Sequence, residues 1–335
     1  MWAQARRWAL AAIVAVGCFL AAASIQYADA SLKAQADGDI ALPAAGQYLT
    51  FGPEDAPLIV LDFGHAVPGF VYEDLTRALA IQGYRVAVES AEDPRALIRF
   101  CDRTEPDRAA ARLERMLNAL DVDRRVHLVG ISAGGLTSAA FADRMPEYVR
   151  SLTLIAPLGM REPYDALENK IKTAPVLGDL LHQWLEQPRC EEEVEAAIES
   201  LPAPDARFAP YERERIYRHI NDRLAEAAQN VTTRAALGLF EEVARSPRPM
   251  QILWGMDDEI APYPGKTFFE TYFNEARLVP IEDAGHEIAY TRAVEVATVI
   301  AGFVDNEETR TRSRGMGGKP RGPLARLEAG RCGSC

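Results

Sequence analysis

Residues 126–135 read VHLVGISAGG, an apolar run that breaks into Gly130, Ile131, Ser132, Ala133, Gly134 and Gly135. A short apolar run bounded by glycine fits a strand buried on both faces. Glycine two residues before and two after a serine lets the chain turn sharply without colliding with the neighbouring strand and helix. Few folds can use such a segment. It needs a covered sheet, a helix that starts at the serine, and a hydroxyl left standing at the strand's carboxyl end. Gly, Ser and Gly at this spacing arise by chance in roughly one chain of this length in ten, from usages of about 7% each. The rest of the chain must therefore supply the partners.

Further strands are expected at residues 58–63, 84–88, 151–156, 251–254 and 276–279. Helical spacing appears at 70–82, ending at Gly83, and at 136–144 and 291–304. Thr104-Glu105-Pro106-Asp107 reads as a capping box, opening a helix with Ala110, Leu113, Met116, Leu117 and Leu120 on one face. Strands alternate with helices, and several strands are apolar throughout, as a sheet covered on both faces requires. The expected class is α/β with a mainly parallel sheet. Residues 161–246 break the rhythm with helical patterns and no clear strand, which fits a helical cap inserted before the later strands. The core then spans 31–160 and 247–305.

A serine hydroxyl is a weak nucleophile until a base removes its proton, and an imidazole suits that task. The imidazole needs a carboxylate to fix its tautomer. Two segments carry such groups just after expected strands. One is Trp254-Gly255-Met256-Asp257-Asp258-Glu259, continuing to Pro262; the other is Asp283-Ala284-Gly285-His286. The order is serine, acid, histidine.

With these residues the chain resembles the α/β-hydrolase superfamily over residues 49–304, most weakly in the cap. The family's acid turn reads approximately Gly-x-x-Asp-x-x-x-Pro. Aligned on Gly255 and Pro262, the resemblance puts the acid on Asp258, not Asp257, and the histidine, in a Gly-His step, on His286. It also implies an oxyanion hole formed by two backbone N–H groups. One comes from Val67, in His65-Ala66-Val67-Pro68-Gly69, where Ala66 replaces the family's usual glycine; the other comes from Ala133. A serine nucleophile sets the chain apart from the dehalogenase and epoxide hydrolase branches, which use aspartate there. His127, inside the nucleophile strand, is expected to be a buried, hydrogen-bonded side chain. His65, His182 and His219 read as structural or surface residues.

The remaining features bound the function. A net charge of −12 and the absence of a basic stripe argue against nucleic acid as a partner. Five histidines and five cysteines show no metal-ligand spacing, and the one Cys-x-x-Cys, Cys332 and Cys335, lacks a second pair. With no dinucleotide glycine fingerprint and no phosphate loop, no metal and no cofactor are expected. Arg6 and Arg7 precede an apolar stretch at residues 8–24, then Ala28-Asp29-Ala30. Residues 1–30 thus read as a secretory signal peptide cut after Ala30, with an uncleaved membrane anchor as the alternative. Export would place Cys101 and Cys190 where a disulfide can persist, although two separate thiols fit equally. Residues 306–335, rich in Arg and Gly, are expected to be a disordered basic tail.

The expectation is an exported serine hydrolase that cleaves an ester, thioester or amide bond of a small substrate. Ser132, His286 and Asp258 form its triad, and its oligomeric state is open. Two alternatives compete. One is a proline-iminopeptidase-like aminopeptidase, using Glu191, Glu192 and Glu193 to hold a free amine. The other is a binding protein on a retained hydrolase scaffold.

Overall fold

Three of the described strands hide all of their residues, which commits the chain to helices on both sides of its sheet. The structure, a computed structural model, describes residues 48–63, 70–89, 105–160 and 233–313, all within one compact unit, Ala44–Cys335. Residues 1–30, expected to be a signal peptide, lie outside the described residues, as do Val67 with its loop, Cys101, Cys190, most of the expected cap and residues 314–335.

Among the described residues, seven strands form one sheet in the order β1-β3-β2-β4-β5-β6-β7. They are β1 (Tyr48–Phe51), β2 (Leu58–Asp62), β3 (Arg85–Glu89), β4 (Val126–Ile131), β5 (Val149–Ile155), β6 (Met250–Gly255) and β7 (Arg277–Ile281). Only β1 runs antiparallel, against β3; the other pairings are parallel. The described helices are α1 (Phe70–Ile81), α2 (Glu105–Ala119), α3 (Ala133–Arg144), α4 (Thr233–Ala244), α5 (Lys266–Tyr272), α6 (Ile288–Thr291) and α7 (Ala293–Ser313). The α/β class and the mainly parallel sheet agree with the sequence reading.

Alternation along each strand builds two cores. Leu58 and Val60 of β2 face one layer, with Leu113 and Met116 of α2, Ala139 and Phe141 of α3, and Phe240 of α4. Ile59 and Leu61 face the other, with Leu75 and Leu79 of α1 and Val296 and Ile300 of α7. Successive strand residues point to opposite faces, so a strand covered on both is mostly apolar, and the exceptions here, Asp62, His127 and Gln251, are each hydrogen-bonded to a side chain. Each such side chain contributes about 1.5–3 kcal/mol by leaving water.

The edges and ends departed from expectation. β1 has four residues and is half-buried, with no long apolar run to announce it. α4 falls in the stretch expected to be cap, yet Phe240 and Val243 are buried in the core beside α3. α7 runs to Ser313, into the stretch expected to be a disordered tail. Polar residues near that boundary find partners: Asp305 accepts a hydrogen bond from Tyr84, and Glu308, inside the expected tail, pairs with Arg150 and His127.

The strand order reverses at the centre. From β2 the chain passes through α1 to β3 on one side, then through α2 to β4 on the other side of β2. Such a switch point opens a crevice beyond the strands' carboxyl ends. Asp62 at the end of β2 pairs in register with Gly130, two residues before Ser132.

Candidate active site

β4 ends at Ile131 and α3 begins at Ala133, so Ser132 alone makes the turn between them. Its backbone sits at φ 54°, ψ −120°. That conformation strains any residue with a β-carbon, by about 1–3 kcal/mol, and persists only where surrounding bonds hold it. Here Ser132 N–H donates to the Ile155 carbonyl at 2.9 Å, and Leu158 N–H donates to the Ser132 carbonyl at 3.0 Å. The glycines clear the space. A β-carbon on Gly130 would lie 2.5 Å from the Gly134 carbonyl oxygen and 2.6 Å from Ser138 Oγ. One on Gly135 would lie 2.6 Å from Pro157 Cβ. The tight approach thus falls at Gly135 as well, one residue beyond the expected pattern.

The acid turn and the histidine loop follow neighbouring strands, β6 and β7, and are sewn together through their backbones. Met256 N–H donates to the Ile281 carbonyl at 3.0 Å, and Asp257 N–H to the Ala284 carbonyl at 2.9 Å. The approach is close enough that a β-carbon on Gly255 would lie 2.2 Å from the Gly285 carbonyl oxygen.

Of the two adjacent aspartates, Asp257 is exposed and Asp258 is buried, and it is Asp258 that meets the histidine. Asp258 Oδ1 accepts from the N–H groups of Ile260 and Ala261, at 2.9 and 2.7 Å. Oδ2 lies 2.8 Å from His286 Nδ1. His286 Nε2 lies 2.8 Å from Ser132 Oγ. A carboxylate only accepts, so His286 Nδ1 carries the hydrogen and Nε2 accepts from the serine hydroxyl. His286 is 6% exposed, while Ser132 is half-buried.

Ala133 occupies the first position of α3. Its N–H is therefore among those without an intrahelical acceptor, at the positive end of the helix. Val67 lies outside the described residues. Beside the acid turn, a small hollow of about 20 Å³ lies between Pro157, Leu158 and Met160 on one side and Ile260 and Ala261 on the other.

His127 offers an instructive contrast. Its Nδ1 lies 2.7 Å from Ser151 Oγ and its Nε2 3.1 Å from Glu308 Oε1. This is a second serine–histidine–carboxylate line, but His127 and Ser151 are each 1% exposed and both sit within strands. Burial outweighs the attraction of Glu308 and lowers the histidine's pKa below its ordinary value. The bond from His127 in turn holds the Glu308 carboxyl below its usual range. The line ties α7 to the sheet and offers no access to a substrate.

Sequence reasoning also missed Trp254. Its indole N–H donates to the Ala261 carbonyl at 2.8 Å. The available signal was its type, since a buried tryptophan must find an acceptor for its N–H.

Residues 91–293 match the family model for the alpha/beta hydrolase fold. The chain belongs to that family. It is 21% identical over 215 residues to monoacylglycerol lipase ABHD6 of Mus musculus, a match covering 58% of this chain and 59% of the relative. It thus spans about three-fifths of the length of that lipase. It is 24% identical over 258 residues to rhodomycin D methylesterase DauP of Streptomyces sp. (strain C5), covering 70% of this chain and 86% of the relative. Among solved structures, a membrane phospholipase A described as a bacterial virulence factor superposes with a TM-score of 0.51. It is 21% identical, with 90% of this chain and 99% of that one covered. Bromoperoxidase from Bacillus anthracis superposes equally well, with a TM-score of 0.52, 17% identity and coverage of 77% and 94%. One fold carrying such different named chemistries fixes the scaffold, and the site must argue the reaction.

Proposed function

We propose that this chain is a serine hydrolase of carboxylic esters, exported or anchored through residues 1–30. One observation carries the reading: Ser132, His286 and Asp258 form a continuous line of hydrogen bonds, each 2.8 Å long, that ends at the half-buried serine. Ser132 Oγ attacks the carbonyl carbon as its proton passes to His286 Nε2. The charge that appears on His286 is met by Asp258, already held by two backbone N–H groups. The oxyanion rests on the N–H of Ala133 and, by family resemblance, that of Val67. Collapse of the tetrahedral adduct breaks the ester C–O bond, and His286 returns the proton to the departing alcohol. Water then repeats the sequence on the acyl-serine and releases the acid.

The names of the relatives favour esters over amides, since lipase, methylesterase and phospholipase all denote ester cleavage. The test is a rate comparison between p-nitrophenyl esters of increasing chain length and aminoacyl-nitroanilides. Ester hydrolysis should dominate, and Ser132→Ala should abolish it. Faster turnover of the anilides would replace this reading with the aminopeptidase.

A further inference from the structure

Trp254 is fully buried at the end of β6, four residues before the acid. Most buried tryptophans serve as core volume, and this one does pack edge-on against Phe269, with ring centroids 5.8 Å apart. Its polar atom has a more specific target. The indole N–H donates to the Ala261 carbonyl at 2.8 Å, and the N–H of Ala261 donates to Asp258 Oδ1 at 2.7 Å. Asp258 Oδ2 then meets His286, and His286 meets Ser132.

We propose that Trp254 is a positioning residue for the triad: its indole fixes the Ala261 region of the acid turn, and so aims the Asp258 carboxylate at His286. Resting on the triad reading above, the proposal adds one residue to it. The geometry favours it over simple packing for two reasons. The acid turn is anchored to the histidine loop only up to Asp257, through the bonds of Met256 and Asp257. Beyond Asp258, Ile260 and Ala261 are only half-buried, so packing alone holds them loosely. The indole joins this outer half of the turn to a rigid, fully buried strand. Without that bond, the two N–H groups that hold Oδ1 would be free to drift from the position that points Oδ2 at His286.

The experiment replaces Trp254 in the full chain with 3-benzothienylalanine, which keeps the ring's shape and loses the N–H, and separately with phenylalanine. Each change is made in the native sequence and in Asp258→Ala, with turnover of a p-nitrophenyl ester and Tm measured for all. In the native background kcat should fall by about tenfold to 100-fold with KM little changed, as a misplaced catalytic group does. In Asp258→Ala, where no carboxylate is left to aim, the same changes should cost nothing further in kcat. The benzothienyl variant should keep the native Tm, so it answers even if the phenylalanine variant folds poorly. Equal losses in both backgrounds, or no loss in either, would overturn the proposal. If Asp258→Ala itself leaves kcat intact, the triad reading fails first, and that outcome is read from the single variant alone.

Discussion

A methyl group at residue 255 should disable catalysis from a position that touches no substrate. In Gly255→Ala the new β-carbon would lie 2.2 Å from the Gly285 carbonyl oxygen and 2.4 Å from that of Ala284, where ordinary contact begins at 3.4 Å. Both obstacles are backbone, so no side chain can rotate away. The acid turn and the histidine loop must part by about 1 Å to make room. That displacement acts directly on the Asp258–His286 bond, since the two residues sit on the two separated loops. Overpacking of this kind costs about 1–3 kcal/mol of stability. Misplacing a catalytic group by ~1 Å can cost about 100-fold in rate. The assay is kcat on a p-nitrophenyl ester well below Tm, so that loss of aim is read apart from loss of fold. Gly302→Ala is the control, because Gly302 lies exposed in α7 with open space around its Cβ direction. There the same methyl should raise stability by about 0.5–1 kcal/mol and leave kcat unchanged. Gly255→Ala with native kcat would refute the idea that the backbone staple sets the triad's geometry.

Two further outcomes follow from strain and charge. Ser132→Gly should abolish hydrolysis yet raise Tm above that of Ser132→Ala, because glycine relieves the positive φ by about 1 kcal/mol or more; equal Tm values would show no strain at Ser132. Acid should loosen the fold through His127 and Glu308. Below pH ~6.5 the unfolded chain binds a proton on His127 that the folded chain refuses, and so stability falls with pH. Glu308, held low in the fold, adds stability that is lost as pH drops below the ordinary glutamate value toward its own. Urea midpoints should therefore decline from neutral pH to pH ~5.5, and His127→Gln should flatten that decline; an unchanged slope would contradict it.

The legible parts of this chain were those where one physical demand dominates the sequence. β2, β4 and β6 are buried on both faces, so they are apolar along most of their length, broken only by Asp62, His127 and Gln251. The turn at Ser132 needs glycines at fixed positions, and these were visible. Choosing Asp258 over Asp257 rested on the family resemblance, aligned on Gly255 and Pro262, and the structure buries Asp258 while exposing Asp257. What escaped notice depends on partners far away in sequence. The polar end of α7 looked like the start of a tail because Tyr84, Arg150 and His127, which hold it, lie more than 150 residues away. α4 looked like cap because its helical pattern does not say which surface it covers. The bond from Trp254 could not be read from spacing, since a tryptophan in a strand is ordinary core until its acceptor is known.

The central claim is that Ser132 is a nucleophile activated by its place in the hydrogen-bonded line. A fluorophosphonate probe, followed by peptide mapping of the intact protein, tests it most directly. A single label should appear on Ser132, lost in Ser132→Ala and slowed by several orders of magnitude in His286→Ala. A label on any other residue, or none on folded protein, would contradict it.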